Sequence, residues 1–550
     1  MKAFTEPLLS LAGFEEMTKT AEKSSGLISV TGCIDAQKSQ MIYAFGGHRK
    51  NKLIVTFGGQ KAKELYDEYS FFDKEVVYYP SKDVLFYQSD IRGNLLTAER
   101  IRALKAIREQ ESVTLVTTFD ALMNTMAPIE KMWENVLTLE QGQLLDLKEI
   151  QAALIRMGYE KEYQVQTMGQ FSVRGGILDV FPLTEENPIR IELWGDEIDT
   201  IRYFDCESQK SIENTDRVSI YPAAELVLSD EEKAGGIEKL KAEAKRVSDK
   251  LRKQMKTEEA HRVTVMADEL TEEWGELSMY AGMDAFLSYF FDERVGLLDY
   301  FKPSDSLIFF DELTRCAEQG KLTETEFSES MKQRLAMGYI LPGQMNGLFT
   351  EKEIVAKLGK YSCIALGALD NKANGLHQLG SYGIHCQSVS PYNNSFELLI
   401  KDLKRYKKNG YRVILLSGSR TRAKRLSEDI TDQGITCFYT ENYDHELFEG
   451  QIMVCYGKVR RGFEYPILKF AVITESDIFG AQQKKKKRHR TYEGEKIQSC
   501  TDLSVGDYVV HENHGLGIYR GIEKREGDKK VKDYIKIVYQ GGSNLYIVAN

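Results

Sequence analysis

Residues 26–40 read GLISVTGCIDAQKSQ. The stretch reads as strand, tight turn, helix. Its centre, Gly32-Cys33-Ile34-Asp35-Ala36-Gln37-Lys38-Ser39, has the spacing of a phosphate-binding loop, G-x-x-x-x-G-K-[ST], except that Gln37 stands at the second glycine. A working loop turns so that successive N–H groups face the phosphates, with Lys38 as point charge and Ser39 as magnesium ligand. Gln37 brings a Cβ and a long side chain to the point of closest approach, and Asp35 adds a negative charge inside the cradle. Two readings follow: a strand and helix kept for packing around an inert loop, which is favoured, or an ATP site.

Outward from this stretch, apolar runs at 27–30, 53–57, 76–79 and 113–117 have the look of buried parallel strands. Helical spacing fills 37–46, 60–70 and 97–110 between them, with Leu95, Leu96, Ile101, Leu104 and Ile107 on one stripe of the last. Residues 1–135 are therefore an α/β sheet domain. Much later, the apolar strand at 306–310 ends in Asp311-Glu312, which resembles the acidic end of a nucleotide site, where Asp holds magnesium and Glu orients water. Without a cradle that pair has nothing to act on, and acidic pairs also serve ordinary loops. A third phosphate-loop-like stretch, GSRTRAK at 418–424, is broken by Ala423 and Arg425 and reads as a helix start capped by Ser417 or Ser419.

Residues 136–222 change character. A helix near 147–157 precedes short strands at 164–167, 171–174, 177–181, 189–194 and 198–204, with turns at Gly175-Gly176 and Gly195-Asp196. This is an antiparallel meander with one helix against it, inserted in or appended to the α/β domain. Arg174, Arg190 and Trp194 can share an exposed face, and Arg with Trp is the usual make-up of a protein-binding hot spot. Equally, Trp194 can pack on the helix while both arginines pair with local acids.

A charged helix at 229–257 follows, then strand–helix alternation over 386–480. The run KKKKRHR at 484–490 lies in a segment without apolar periodicity and reads first as a solvated linker, second as a phosphate-backbone contact. The last 50 residues hold strands at 508–511, 517–522, 534–539 and 545–548, as in a small β-barrel. KDYIKIVY, at 532–539, would leave Ile535 or its neighbours Tyr534 and Lys536 on a strand edge open to a partner. His511 and His514 have no further ligands nearby and read as turn residues, so no metal site is expected.

The whole chain has 550 residues, length enough for roughly three to five domains. No apolar run of about 18 residues marks a membrane span. Eight scattered cysteines without a C-x-x-C pair fit a reducing cytoplasm. The net charge of −10 gives no general attraction for nucleic acid.

GQFSVRGGILDVFP at 169–182 and PIRIELWGDEID at 188–199 resemble the second domain of the excision-repair helicase UvrB and of the transcription-repair coupling factors. GDYVVHENHGLGIYRGIE and KDYIKIVYQGGSNLYIV, at 506–523 and 532–548, resemble the CarD-like RNA-polymerase-interaction domain of the coupling factors, which UvrB lacks. VTGCIDAQKS resembles their degenerate phosphate loop, and no room is left between Tyr79 and Ala98 for the aromatic hairpin of UvrB.

The resemblance implies a multidomain α/β protein: a degenerate P-loop (RecA-like, UvrB-like) domain with an inserted α+β domain, a second small α/β domain, and a C-terminal SH3/Tudor-like β-barrel. It divides the chain into a UvrB-like domain 1a with the degenerate loop (1–135), a UvrA-binding domain 2 (136–222), domain 1b (223–385), a degenerate α/β third domain (386–480), a basic linker (481–500) and the polymerase-interaction domain (501–550). It assigns Arg174, Arg190 and Trp194 to UvrA docking, with Trp194 where the family usually has Phe. It assigns Ile535, with Tyr534 and Lys536, to RNA polymerase, through its beta subunit. Gly32, Gln37, Lys38, Ser39, Asp311 and Glu312 form an inactive nucleotide site, so no catalytic residue and no cofactor are expected here. The family's ATP- and magnesium-dependent double-stranded-DNA translocase is expected beyond residue 550. The competing expectation is an active UvrB-like ATPase using Lys38, Ser39 and Asp311.

Overall fold

The computed structural model describes residues 1–46, 50–82, 94–276, 283–369, 375–480, 505–511, 515–527, 530–538 and 544–548. They form two compact units, Met1–Gly480 and Ala481–Asn550. The basic run at 484–490 and His514 lie outside the described residues.

The first unit is built on seven strands: β1 (Gly26–Thr31), β2 (Asn51–Thr56), β3 (Val77–Tyr79), β4 (Thr114–Thr118), β5 (Ser306–Asp311), β6 (Ser362–Leu366) and β7 (Gln378–Gly383). They lie in the order β7-β1-β6-β5-β2-β4-β3, and every pairing is parallel. Helices cover both faces, so β1, β2, β4, β5 and β6 carry near-continuous runs of buried side chains. β6 and β7 complete the sheet on either side of β1 and were not anticipated. The QLGSYG sequence of β7 is half exposed, and its sparse apolar content hides it from a hydrophobic reading.

Between β4 and β5 the chain leaves the sheet. Six strands form a second sheet in the order Ser211–Thr215, Glu197–Phe204, Ile189–Trp194, Ile177–Val180, Gln170–Arg174, Glu160–Lys161. The first five are antiparallel neighbours, and the last runs parallel. The strand expected at 164–167 is absent; those residues form bends and irregular chain. One sheet face buries Phe171, Leu178, Val180, Ile189 and Ile191 against Ile150 and Leu154 of the helix Leu147–Arg156. Side chains alternate along a strand, so the residues between these point to the other, open face. Two long helices, Asp230–Lys253 and Thr257–Glu276, then pack together. The first is capped at the expected start, Ser229, with a capping box to Glu232, but it ends at Lys253, short of the expected 257.

Residues 387–480 form a further six-stranded sheet in which four adjacent strands, Phe470–Thr474, Arg412–Ser417, Ile452–Tyr456 and the edge strand Phe438–Tyr439, are parallel. The helix Arg420–Asp432 starts at Ser419 as expected, without a side-chain cap bond; Ser417 instead donates to Glu475, 2.9 Å away. One buried cluster joins this sheet to the first. It contains Phe4, Ile42 and Ile54 together with Ile414, Met453 and Phe463. Gln40 bridges the two: it donates to the Phe4 carbonyl (2.5 Å) and accepts from the Tyr465 hydroxyl (3.3 Å).

The second unit is a four-stranded antiparallel meander, Tyr508–His511, Gly515–Gly527, Lys530–Val538 and Asn544–Val548. This corrects one expectation. Ile535 lies opposite both Ile522 and Ile547, so its strand is interior and not an edge. Four strands paired in sequence order leave the third inside the sheet. Among the described residues no helix is long and apolar enough to cross a membrane.

Candidate functional site

The phosphate-loop stretch folds as β1, a turn and the helix Asp35–Phe45. The helix begins three residues ahead of Lys38. Lys38 and Ser39 therefore fall at or beyond the fourth helical position, where N–H groups turn back into the helix. The turn itself is closed by its neighbours: the Gly32 and Cys33 N–H groups donate to the Ala368 and Gly367 carbonyls at 3.2 and 3.0 Å. Gly32 has φ +77°, and a Cβ there would meet the Ile384 carbonyl oxygen at 2.1 Å. Close packing of the main chain thus accounts for this glycine without any ligand.

Lys38, 1% exposed, spends its ammonium on three carboxylates: Asp311 at 2.6 Å, Glu312 at 3.0 Å and Asp35 at 3.1 Å. Burial alone would depress its pKa, but the three negative charges raise it well above the ordinary ammonium value. Thr56 donates to the other Asp311 oxygen at 2.9 Å. Glu312 sits in the left-handed region at φ +60° and accepts from the Ala368 N–H at 3.2 Å. Burial would raise the Asp35 pKa, yet Lys61 (2.9 Å) and Lys38 hold it below the usual value. Asp35 occupies the first turn of its helix, where a bound phosphate's charge would lie. The Gln37 carboxamide and the Ser39 hydroxyl are buried without a nitrogen or oxygen partner among the described residues. Gln37 faces the Cys33 thiol, which burial pushes up to about 12. Lys38 meets Asp311 and Glu312, with Gly32, Gln37 and Ser39 on the same turn and helix, but this donor set does not fit ATP with magnesium: the cation is neutralised by three carboxylates and the Gly32 and Cys33 N–H groups are already bonded.

The second candidate site is the open face of the six-stranded sheet. Arg174 and Arg190 meet there as expected, on a shared acid. Arg190 donates through Nε and Nη2 to Asp179 at 2.7 and 2.8 Å, and Arg174 Nη2 donates to the same carboxylate at 2.8 Å. Register explains the meeting, since Asp179 lies directly opposite Arg190 across the strand pair. Arg190 also lies 4.3 Å above the Phe204 ring and donates to Gln209 Oε1 at 2.8 Å. Asp179 and Gln209 were not singled out from the sequence. Asp179 reads as a lone acid inside ILDVF, and only the pairing of 177–180 with 189–192 reveals its role.

Trp194 stands apart from this cluster. It is 85% exposed, so it does not pack on the helix Leu147–Arg156. It lines a groove of about 710 Å³ with Glu140, Glu197, Asp199 and Asp216, and neither arginine contributes to that lining. In the second unit, Tyr534, Ile535 and Lys536 are consecutive residues of the interior strand Lys530–Val538.

Two stretches match known families. Residues 137–226 match the family described as the UvrB interaction domain, and residues 503–550 match the family described as the CarD-like/TRCF RID domain. Along most of its length the chain is similar to curated transcription-repair-coupling factors. It is 31% identical to that of Bacillus subtilis (strain 168) over 86% of this chain and 40% of the relative. It is 29% identical to that of Staphylococcus haemolyticus (strain JCSC1435) over 94% of this chain and 44% of the relative. For Staphylococcus aureus (strain USA300) the values are 28%, 97% and 45%. The chain therefore spans less than half the length of these relatives.

Proposed function

We propose that this chain, similar over most of its length to transcription-repair-coupling factors, is a docking scaffold of transcription-coupled nucleotide-excision DNA repair. It holds stalled RNA polymerase through residues 501–550 and recruits UvrA through residues 136–222. One observation carries this reading: the two family matches, a UvrB interaction domain and a polymerase-interaction domain, occur on one chain. The alternative, a UvrB-like ATPase, is disfavoured by the polymerase-type match and by a Lys38 already neutralised on three sides.

Finer assignments belong to the same proposal. UvrA contacts Arg174, Arg190 and Trp194. Polymerase is met through its beta subunit, by the strand that carries Tyr534, Ile535 and Lys536 in an SH3/Tudor-like barrel. The RecA-like, UvrB-like module binds no nucleotide or magnesium. ATP, magnesium and double-stranded DNA are handled by a translocase motor in the part of the relatives that this chain does not span. The working compartment is the cytoplasm.

Pull-down with purified partners tests the scaffold. Arg174→Glu or Arg190→Glu is expected to weaken UvrA binding by about 1.5–3 kcal/mol, the loss of a charge-assisted contact. Unchanged UvrA binding removes the assignment of this face. A chain ending at Gly480 is expected to keep UvrA and lose polymerase; retained polymerase would place that contact elsewhere.

A further inference from the structure

We propose that Asp179 is a positioning residue for docking: it clamps Arg174 and Arg190 side by side, so that their unused N–H groups together receive a carboxylate of the partner. This rests on the reading of the open sheet face as the UvrA-docking surface.

Asp179 is 1% exposed and its two oxygens take three guanidinium hydrogen bonds. Two neighbouring guanidinium groups repel one another, and a buried acid between them removes that repulsion. The clamp spends Arg190 Nε and Nη2 and Arg174 Nη2, which leaves Nη1 of both residues and Nε of Arg174 for another acceptor. Planar forked donors suit a carboxylate above other acceptors on a protein surface.

Arg190 is held from further sides. Phe204 lies beneath it at 4.3 Å, and Gln209 Oε1 accepts from Nη2 at 2.8 Å. Gln209 reaches this position from the left-handed region, φ +59°, where a residue with a side chain is strained. Its own amide is fixed by donation to the Cys206 carbonyl at 2.8 Å. A long side chain immobilised before binding loses less freedom when the partner arrives.

The sign of one substitution separates positioning from plain charge. Asp179→Asn makes the face more positive, so charge alone predicts tighter binding of an acidic partner. Positioning predicts weaker binding, because the two guanidinium groups separate. The experiment is calorimetric titration of UvrA into the 550-residue chain, with Asp179→Asn, Arg190→Ala, the double variant and Gln209→Ala. Asp179→Asn is expected to weaken binding by about tenfold. In the Arg190→Ala background the same change is expected to cost less than about twofold, since the clamp is already gone. A merely structural loss would cost the same in both backgrounds. Equal or tighter binding by Asp179→Asn overturns the proposal. If that variant fails to fold, Gln209→Ala decides: weaker binding supports positioning, and wild-type affinity overturns it. Failure of the docking reading looks different. There the wild-type chain does not bind UvrA, or Arg174→Glu and Arg190→Glu bind it unchanged.

Discussion

Lys38 Nζ lies 2.6 Å from Asp311 Oδ1, and both side chains are 1% exposed. The pair joins the helix that follows β1 to the end of β5, two strands away in the sheet. Removing one member of a buried pair strands the other charge in a medium that cannot solvate it. Lys38→Ala is therefore expected to destabilise the first unit by about 3–5 kcal/mol in urea unfolding. In an ATP site the same change would abolish nucleotide binding. Micromolar ATP–magnesium binding by the wild-type chain, lost in Lys38→Ala, would restore the ATPase reading.

Glu68 is buried where the helix Gly59–Tyr69 meets the loop carrying Arg460, and burial lifts its pKa to about 7. Lys61 and Arg460 oppose that rise, and Asp35 adds to it. The folded state thus favours the protonated acid. The associated stability is fully present below the ordinary carboxylate pKa and is lost as pH climbs through about 7. The total is on the order of 3 kcal/mol. Glu68→Gln is expected to remove that slope and to raise stability at pH 8. Parallel stability–pH curves for the two proteins would show that Glu68 is already ionised at neutral pH.

Trp194 offers a test with the opposite balance of effects. At 85% exposure it contributes little to the fold, so Trp194→Ala is expected to shift unfolding stability by less than about 0.5 kcal/mol. An exposed Trp at the centre of an interface is worth about 2 kcal/mol or more, so UvrA affinity is expected to fall by at least about tenfold. Unchanged affinity would confine docking to the two arginines.

How far the residues spoke for themselves depended on whether neighbours in space were neighbours in pattern. The β1–turn–helix unit and the acidic end of β5 were legible, because loop spacing and apolar runs are local signals. That Gly32 is held for the Ile384 carbonyl was not, since the two are 352 positions apart and β7 leads in between. The arginines of the docking face could be named, but their shared acid could not. It depends on which residue of 177–180 lies opposite Arg190, and register is settled by turn geometry rather than by composition. Alternation in KDYIKIVY is equally compatible with an edge or an interior strand, and only counting all four strands places Ile535 inside.

Arg100 and Glu225 form another buried charge pair, linking the helix Asn94–Glu109 to the segment that leaves the inserted sheet domain. Arg100 Nε and Nη2 donate to Glu225 at 2.7 and 3.0 Å, Nη1 donates to the Pro80 carbonyl at 2.6 Å, and Lys82 adds a cation 3.0 Å from Glu225. Burial would raise the Glu225 pKa, but the Arg100 and Lys82 charges outweigh it and hold the carboxyl at about 2. The sign is opposite to that of Glu68. The stability from Glu225 is present above the ordinary carboxylate pKa and lost as pH falls towards 2, on the order of 3 kcal/mol in all. Arg100→Met leaves Glu225 buried with Lys82 alone, at an expected cost of about 3–5 kcal/mol at pH 7. It also removes the force that depresses the Glu225 pKa. The variant is then expected to lose less of its remaining stability between pH 5 and pH 2 than the wild type does. Urea unfolding across that range measures both effects, and an unchanged acid slope would assign it to carboxylates other than Glu225.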